Sequence, residues 1–316
     1  MGWPAGVTTG PLGPEHSPAA IEVANAIATA DDSGRYVTLD DFADELDGAD
    51  SLGVWLDGRL VGYGLVPPPD VVDGQPIVTL KGGIDPAFRR RGLGGPLLDW
   101  QLQRAAEQGD VVDVTIQPVN VGGLALVASR GFRPIRYYRV MRRWYDDQPV
   151  RMPSLPDGFA MTGFDRRYDE LLRLTYNEIF TGQWGFLPKN AEHWTKWFTS
   201  HHAFRPELSR IVVDGDRIAA FALGYEFTVD TEQTGVRELW IGQVGALEEY
   251  RGRGLARAAI SAVLRAGQAV GFERSALGVD ADNPTGASRL YESLGFVTVT
   301  SEIQQRLSLV RRSAES

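Results

Sequence analysis

The feature that most constrains this chain is an arginine- and glycine-rich turn between two apolar segments. Leu239, Ile241 and Val244 precede the turn in a strand-like segment. The turn itself reads Arg251, Gly252, Arg253, Gly254, Leu255 and Ala256. After it, apolar residues recur at the three- and four-residue spacing of one helix face, at Ala256, Ala259, Ile260, Val263 and Leu264. The pattern therefore predicts a strand, a tight turn and a helix.

Such a turn favours an anion. The first amides of a helix have no partner within the helix, and the helix dipole places its positive end there. Gly252 and Gly254 lack a Cβ atom, so a bulky phosphate could approach the backbone closely. A pyrophosphate is the ligand that this combination suits best. We therefore expect the six residues 251–256 to bind an anionic cofactor.

A second copy of the pattern lies earlier in the chain. Ile84 precedes a turn formed by Arg89, Arg90, Arg91, Gly92, Leu93 and Gly94, and a helical pattern follows over 94–108. Three further landmarks recur at separations of 157, 162 and 164 residues, namely Asp57 and Asp214, Gly92 and Gly254, and Gly131 and Gly295. This repetition indicates a duplication. It predicts two domains, 1–148 and 149–316, joined by a linker rich in Pro and Asp within 145–158.

Each half contains the same predicted order of elements. Two helices precede a hairpin, a long strand, the turn, a helix, a strand, a short helix ending at a Gly-Phe pair, and a last strand. The long strands are expected as continuous segments over 78–84 and 236–246, and one helix over 191–200. This alternation predicts an α/β protein with a mixed sheet (α+β) in each half.

Composition excludes several classes of function. The net charge is −9 and the pI is about 5.1, which argues against a general nucleic-acid-binding protein. Without cysteine, the chain has no disulfide and no thiolate nucleophile, and its four histidines do not follow a zinc-binding spacing, so we expect no metal site. There is no long apolar run and no signal-peptide pattern, so we expect a cytoplasmic protein that does not enter a membrane.

The order of elements, with the two turns and the Gly-Phe pairs, resembles that of the GNAT acetyltransferases. In the second half Asn283 and the segment 290–296 (LYESLGF) strengthen the resemblance. A tandem pair of this length resembles the mycothiol synthase type. The resemblance implies two tandem GNAT acyltransferase domains that use acetyl-CoA, with the pyrophosphate of CoA on the turn amides.

The resemblance also implies a path for the rest of the cofactor. The pantetheine arm would pair with the strand near Val244 and Ala246, whose counterparts in the first half are Gly82 and Ile84. Asn283 would bond the CoA arm or a water molecule. The alternative for Asn283 is a turn residue ahead of Pro284, a position that asparagine favours.

Acetyl transfer to an amine requires deprotonation of the amine, stabilisation of an oxyanion and protonation of the leaving thiolate. Tyr291 is the candidate acid, because the resemblance places a tyrosine there and a phenol with a pKa of about 10 is protonated at neutral pH. Packing between helix and sheet is the alternative for this ring. Glu238 is the candidate base, although the glutamate of the family aligns nearer Trp240. Glu226 is a second candidate for the base, and a chain of water molecules without a dedicated base is a third possibility.

The two halves are not equivalent. Val127 stands in the first half where Tyr291 stands in the second, so the first half lacks a phenol. We expect the first half to be non-catalytic, binding CoA without turnover and serving as a structural or regulatory partner. In the second half the aromatic segment 183–188 is expected to form a wall or lid of the acceptor pocket.

The preferred hypothesis is an acetyl-CoA-dependent N-acetyltransferase that acts on the primary amine of a small molecule by direct transfer. A non-enzymatic acyl-CoA sensor and a protein or peptide N-acetyltransferase are the alternatives. The identity of the amine and the oligomeric state are open at this point.

Overall fold

A computed structural model of the protein describes residues 2–72, 74–145, 150–283 and 285–309. Their contacts divide into two compact units. Unit 1 contains the described residues up to Arg139, 280–282 and those from Thr300 onward, and unit 2 contains Val140–Val279 and Asn283–Val299. The expected domain boundary, between 148 and 149, falls among residues 146–149, outside the described residues. Among the described residues, none belongs to a helix long and apolar enough to span a membrane.

Unit 1 contains the elements of the predicted order together with further short strands. Its strands and helices are β1 (Val7–Gly10), α1 (Ser17–Ala30), α2 (Leu39–Leu46), β2 (Asp50–Leu56), β3 (Arg59–Val66), β4 (Asp70–Val72), β5 (Gln75–Thr79), β6 (Lys81–Ile84), α3 (Gly94–Gln108), β7 (Val111–Ile116), α4 (Val121–Ser129) and the first part of β8 (Arg133–Trp144). Local chemistry explains several bounds. Thr38 and Asp41 form a capping box that starts α2, and Asp57 and Gly58 adopt the positive φ angles of a tight hairpin.

Unit 2 repeats this order. Its elements are β9 (Phe159–Gly163), α5 (Asp169–Phe180), α6 (Ala191–Trp194), β10 (Arg210–Asp214), β11 (Arg217–Tyr225), α7 (Thr228–Thr234), β12 (Glu238–Ala246), α8 (Leu255–Ala269), β13 (Arg274–Asp280), α9 (Ala287–Ser293) and the first part of β14 (Val297–Ser308). The helix expected over 191–200 changes to a π-helical turn over Thr195–Thr199. The short elements β1, β4, β9 and α7 were not predicted, because none carries a long periodic apolar pattern.

Each unit contains one described pair of parallel strands. In unit 1 the order β1-β2-β3-β6 is antiparallel, and β5 pairs with β7 in parallel. The end of β14 pairs antiparallel with β7, so the last described strand completes the sheet of unit 1. In unit 2 the strands follow the order β13-β12-β11-β10-β9, and only β12 and β13 within this series are known to be parallel.

The helix after the turn in unit 2 packs on this sheet. Leu255, Ala259, Ile260, Val263 and Leu264 of α8 are all buried in one apolar cluster with residues of β11, β12 and β13. Burial of a Leu, Ile or Val side chain contributes about 1.5–3 kcal/mol. This packing fixes the start of α8, and therefore the turn, against the end of β12.

Candidate active site

The strands β12 and β13 of unit 2 separate partway along their length. They pair in parallel only over Glu238–Trp240 and Arg274–Ala276, while β12 remains paired with β11 up to Ala246. The pairing with β11 skips Gly242, because Leu223 lies opposite Gln243 and Gly224 lies opposite Ile241. A Cβ atom at Gly242 would lie 2.7 Å from the ring of Tyr225. This glycine bulge therefore lies where β12 separates from β13.

In unit 1 the central strand separates from its parallel neighbour at the corresponding position. The prediction of one continuous strand over 78–84 is wrong, because the chain divides at Leu80, whose amide donates to the carbonyl of Asp113 at 2.9 Å. Before Leu80, β5 stays beside β7; after it, β6 pairs with β3 instead. Leu80 and Gly242 are 162 residues apart, the same separation as Gly92 and Gly254. Both units therefore separate their central strand from its parallel neighbour at equivalent positions.

The turn of unit 2 has the geometry expected for an anion site. Gly252 and Gly254 adopt φ angles of +75° and +79°, and Gly254 is the N-cap of α8. Apart from the adjoining residues, no atom of the described part of the chain lies within 4 Å of the Cβ positions of either glycine, so the space above them is open. The Arg251 side chain is exposed and has no hydrogen bond or ion pair with another described residue. Leu255 and Ala256 form the first turn of α8, where amides are unpaired.

Among the described residues, the side chain of Arg253, unlike that of Arg251, lies against aromatic rings. Its guanidinium lies 5.6 Å from the ring centre of Tyr250 and 5.9 Å from that of Phe159, which is a cation–π arrangement. The ring of Tyr250 is in turn fixed, because its hydroxyl donates to Asp214 Oδ2 at 2.9 Å. Arg253 therefore braces the turn against β9 and the hairpin as well as adding positive charge.

The turn of unit 1 is similar but carries different side chains. Arg90 has a φ angle of +64°, in the position that Gly252 occupies in unit 2, and Gly92 has a φ angle of +79°. Leu93 precedes Gly94, the first residue of α3. Arg91 stacks on Phe88 at 4.9 Å, and both terminal nitrogens of Arg89 donate to Asp31. A non-glycine residue at positive φ is strained, so the turn conformation is retained in unit 1 at a cost.

This turn borders a cleft of about 500 Å³ in unit 1. Gly82 and Ile84 of β6 lie on one side, and residues 114–116 of β7 with Gln117 lie on the other. Gly82 has a φ angle of +104°, and a Cβ atom there would lie 2.2 Å from the carbonyl oxygen of Tyr63, so only glycine is compatible with this strand position. Val244 and Ala246, the counterparts in unit 2, are half-buried on β12 beyond the bulge. These strand residues lie where a ligand arm could add to the open edge of the strand.

Tyr291 lies on α9 and is buried, with 7% of its surface exposed. Its ring contacts Phe296 edge-on at 6.2 Å, and its hydroxyl makes no hydrogen bond with another described residue. Burial raises the pKa of Tyr291 to about 12. The Tyr291 ring is therefore packed in the protein, as the alternative to an acid role expected. This packing leaves the hydroxyl protonated and available to a ligand.

Asn283 follows β13 and closes a local turn. Its Oδ1 accepts from the amide of Thr285 at 2.9 Å and from the hydroxyl of Thr285 at 2.6 Å. These bonds match the turn role that asparagine often has, and they leave its Nδ2 for a ligand.

Both candidate bases lie in buried ion pairs. The Oε2 atom of Glu238 accepts from Arg142 Nε at 2.9 Å and from Arg274 Nε. Glu226 accepts from Arg205 at 3.0 Å and from Arg237 at 2.6 Å. Burial alone would raise the pKa of Glu226, but the hydrogen bonds and charges of Arg237 and Arg205 outweigh it and lower the pKa. A general base is most effective with a pKa near the working pH, which the lowered pKa of Glu226 does not match. Because two guanidinium groups occupy each carboxylate, the contacts favour structural roles for both.

Replacing Glu238 by glutamine tests that interpretation. We expect turnover to stay within about threefold, because a dedicated base would contribute about 10²–10⁴-fold. Stability should fall, because Arg142 and Arg274 would be buried without their counter-charge. The measurement is the pH dependence of turnover together with a thermal melt. Loss of the acidic limb of the pH profile with unchanged stability would instead identify Glu238 as the base.

The segment expected to border the acceptor pocket lies between α5 and α6. Phe186 packs against Phe180 and Tyr176 at ring distances of 6.0 Å and 5.8 Å. Trp184 is 40% exposed. The segment therefore combines one aromatic ring anchored in the core with another at the surface, which is typical of a loop that contributes to binding.

The comparisons with known proteins decide the family. The model of the acetyltransferase (GNAT) family matches residues 20–132 and 170–296, which together form most of the chain. The chain belongs to the GNAT family of acetyltransferases. Each matched region contains one of the two turns, so this GNAT protein is a tandem enzyme of the N-acyltransferase type whose family uses acetyl-CoA as the acyl donor.

Curated relatives and solved structures agree with this assignment. The mycothiol acetyltransferase of Thermobispora bispora is 30% identical over 257 residues, 78% of this chain and 80% of the relative. That of Kineococcus radiotolerans is 28% identical over 95% of this chain and 97% of its own. A GCN5-related N-acetyltransferase from Sphaerobacter thermophilus has a TM-score of 0.73 at 26% identity, covering 97% of this chain and 99% of that one. A tandem GNAT protein from the clavulanic acid biosynthesis pathway shares the fold, with a TM-score of 0.72 at 16% identity over 95% and 98% of the chains.

Sequence reasoning missed two parts of the site. Gly242 marks the bulge at which β12 separates from β13, and a glycine inside a strand pattern is a signal for such a bulge. Asp31 lies in the wall of the unit 1 cleft and pairs with Arg89. No local pattern indicates that pair, because the two residues are 58 positions apart.

Proposed function

We propose that unit 2 transfers the acetyl group of acetyl-CoA directly to the primary amine of a small molecule, and that unit 1 binds CoA without turnover. Acetyl-CoA supplies an activated thioester when bound. The observation that carries the proposal is the unpaired, protonated hydroxyl of Tyr291 in the same unit as an open glycine turn. Unit 1 has a similar turn and cleft, but Val127 is buried at the position of Tyr291 and offers no proton.

Different residues of unit 2 bind the diphosphate, orient the pantetheine arm and donate the proton. The amides at Gly252, Gly254, Leu255 and Ala256, with the charges of Arg251 and Arg253, bind the diphosphate. The open edge of β12 at Val244 and Ala246 orients the pantetheine arm, and Asn283 lies at the end of β13 on the other side of the separated strands. Holding the thioester and the amine close together in a reactive orientation itself contributes much of the rate enhancement. Tyr291 then donates its proton to the departing sulfur.

Deprotonation of the amine is assigned to water rather than to a carboxylate. Glu238 and Glu226 are each held by two guanidinium groups. An amine that reaches the cleft can lose its proton to solvent before it attacks the carbonyl carbon. The C–N bond then forms as the C–S bond breaks, and the sulfur receives the proton of Tyr291. The nitrogen releases its remaining excess proton to solvent, and the phenolate of Tyr291 is reprotonated from solvent before the next turnover.

The acceptor is proposed to be a small molecule bearing an amine because the relatives are named mycothiol acetyltransferase, after a compound rather than a protein. The test is release of free thiol from acetyl-CoA with a panel of small amines, amino sugars and peptides. Release with a small amine supports the proposal, and release only with peptides supports a protein or peptide acetyltransferase. CoA binding without any release would indicate a sensor.

The pH dependence of turnover gives a separate check on Tyr291. A tyrosine of ordinary pKa, about 10, would begin to lose its proton near pH 9 and be half deprotonated at about pH 10. Because burial raises the pKa of Tyr291 to about 12, its proton should be retained to about pH 11. We therefore expect no alkaline limb attributable to the acid below that pH, measured over the range in which the protein stays folded. An alkaline limb near pH 10 that disappears in Tyr291→Phe would contradict the raised pKa.

A further inference from the structure

Asp31 joins three segments around the unit 1 cleft. It is the C-cap residue of α1, and only 3% of its surface is exposed. Its Oδ1 accepts from Arg89 Nη1 at 2.6 Å, and its Oδ2 accepts from Arg89 Nη2 at 2.9 Å and from Asn120 Nδ2 at 2.9 Å. Arg89 belongs to the turn, and Asn120 caps α4 after β7. One carboxylate therefore holds the end of a helix, the turn and the opposite wall.

All three residues line the cleft itself. The guanidinium of Arg89 also donates from Nε to the carbonyl of Ile84 at 3.3 Å. Three of its five N–H groups are therefore used within the protein, and its charge is matched by a carboxylate in bidentate contact. Arg89 adds little net positive charge to the cleft while this pair is intact.

Unit 2 lacks this arrangement. Arg251, the counterpart of Arg89, has no ion pair with another described residue. Thr181 is the C-cap residue of α5, the position that Asp31 has on α1, and its hydroxyl donates to the carbonyl of Asn177 at 2.6 Å. The first arginine of the turn is thus neutralised in unit 1 and unneutralised in unit 2.

We propose that Asp31 is an internal counter-anion that competes with the diphosphate of CoA for Arg89 and so lowers the affinity of the unit 1 cleft for CoA. The inference rests on the proposed binding of CoA by unit 1. A diphosphate on the turn amides would lie near the Asp31 carboxylate, and like charges at short range in a partly buried site repel strongly. The two units would then differ in affinity for one ligand, with unit 2 filling first.

The test is Asp31→Asn in the full chain, with the unit 2 site blocked by Gly254→Asp. Aspartate tolerates positive φ better than most residues and places a negative charge beside the diphosphate. Calorimetric titration with CoA then reports unit 1 alone. We expect Asp31→Asn to tighten binding about tenfold, because Arg89 loses its counter-charge and is free to pair with phosphate.

The control is Asp99→Asn. Asp99 accepts from Arg130 Nε at 2.7 Å and from Arg130 Nη2 at 3.1 Å in the same unit, and neither residue lines the cleft. CoA affinity should be unchanged in this variant. In Arg89→Ala, the effect of Asp31→Asn should disappear, because the competition requires both groups.

Two outcomes overturn the inference. Unchanged or weaker binding in Asp31→Asn would show that Asp31 positions Arg89 for the phosphate instead of competing with it. Absence of binding in the Gly254→Asp protein would show that unit 1 takes no CoA. Neither outcome affects the thiol-release assay on the unmodified chain, which tests catalysis by unit 2 separately.

Discussion

Turnover of the Tyr291→Phe variant is expected to fall at least tenfold, while its affinity for CoA stays close to that of the unmodified chain. The substitution removes one hydroxyl from a ring that is otherwise buried in an apolar cluster. That hydroxyl has no hydrogen-bond partner among the described residues, so its loss breaks no internal bond. A general acid contributes about 10²–10⁴-fold to a rate. The measurements are steady-state thiol release and CoA titration on the same preparation.

A matched control separates catalysis from packing. Tyr145 is also largely buried in unit 2, and burial raises its pKa to about 12. Its hydroxyl, however, shares a hydrogen bond with Ser275 Oγ at 2.5 Å. Tyr145→Phe should therefore lower stability by about 1 kcal/mol and leave turnover unchanged. Equal losses of turnover in the two variants would indicate a general packing effect, and full turnover in Tyr291→Phe would remove its assignment as the acid.

The second large effect is expected from Arg306→Ala, which should destabilise unit 1 by about 3–5 kcal/mol. Arg306 lies on the end of β14 and donates to Asp113 from Nε at 2.7 Å and from Nη2 at 2.8 Å. Asp113 is only 2% exposed, and the side-chain nitrogen Nε2 of Gln304 donates to its Oδ2 at 2.7 Å. Removing the arginine leaves a buried carboxylate without its counter-charge. Hydrogen exchange at the amides of β7 and α3 measures the loss locally.

Two further variants make the result specific. Arg104→Ala removes the exposed pair with Glu107 on α3 and should change stability by less than about 0.5 kcal/mol. The double variant Asp113→Leu with Arg306→Met replaces the buried pair by apolar side chains and should recover most of the stability. Faster exchange in α8 of unit 2 to the same extent as in β7 would contradict a local role for the pair.

Much of the fold could be predicted because its signals are local. The helix α3 has the expected bounds 94–108, because its periodic apolar face is visible in the sequence. Both turns were marked by their glycines. The two turns, which form the part of the site that depends on backbone conformation next to a helix start, could be predicted from the sequence for the same reason.

The parts that were missed depend on pairing between distant segments. The break at Leu80 requires β6 to pair with β3 while β5 pairs with β7, and no property of residues 78–84 indicates which neighbour each half selects. Glu238 looked like an available base on a strand, but Arg142 lies 96 positions away and arrives beside it only in the folded chain.

By itself, the sequence determined the duplicated order of elements, the two glycine turns and the presence of a phenol at 291 in one half only. These depend on residue type and short-range spacing, which are independent of how the chain packs. Tertiary structure alone decided which arginines keep a free charge, because Arg89 meets Asp31 whereas Arg251 meets no carboxylate among the described residues. It also decided that the last strand completes the sheet of unit 1. Charge pairing and strand partners are long-range contacts, and the free energy of an ion pair depends on burial that only folding creates.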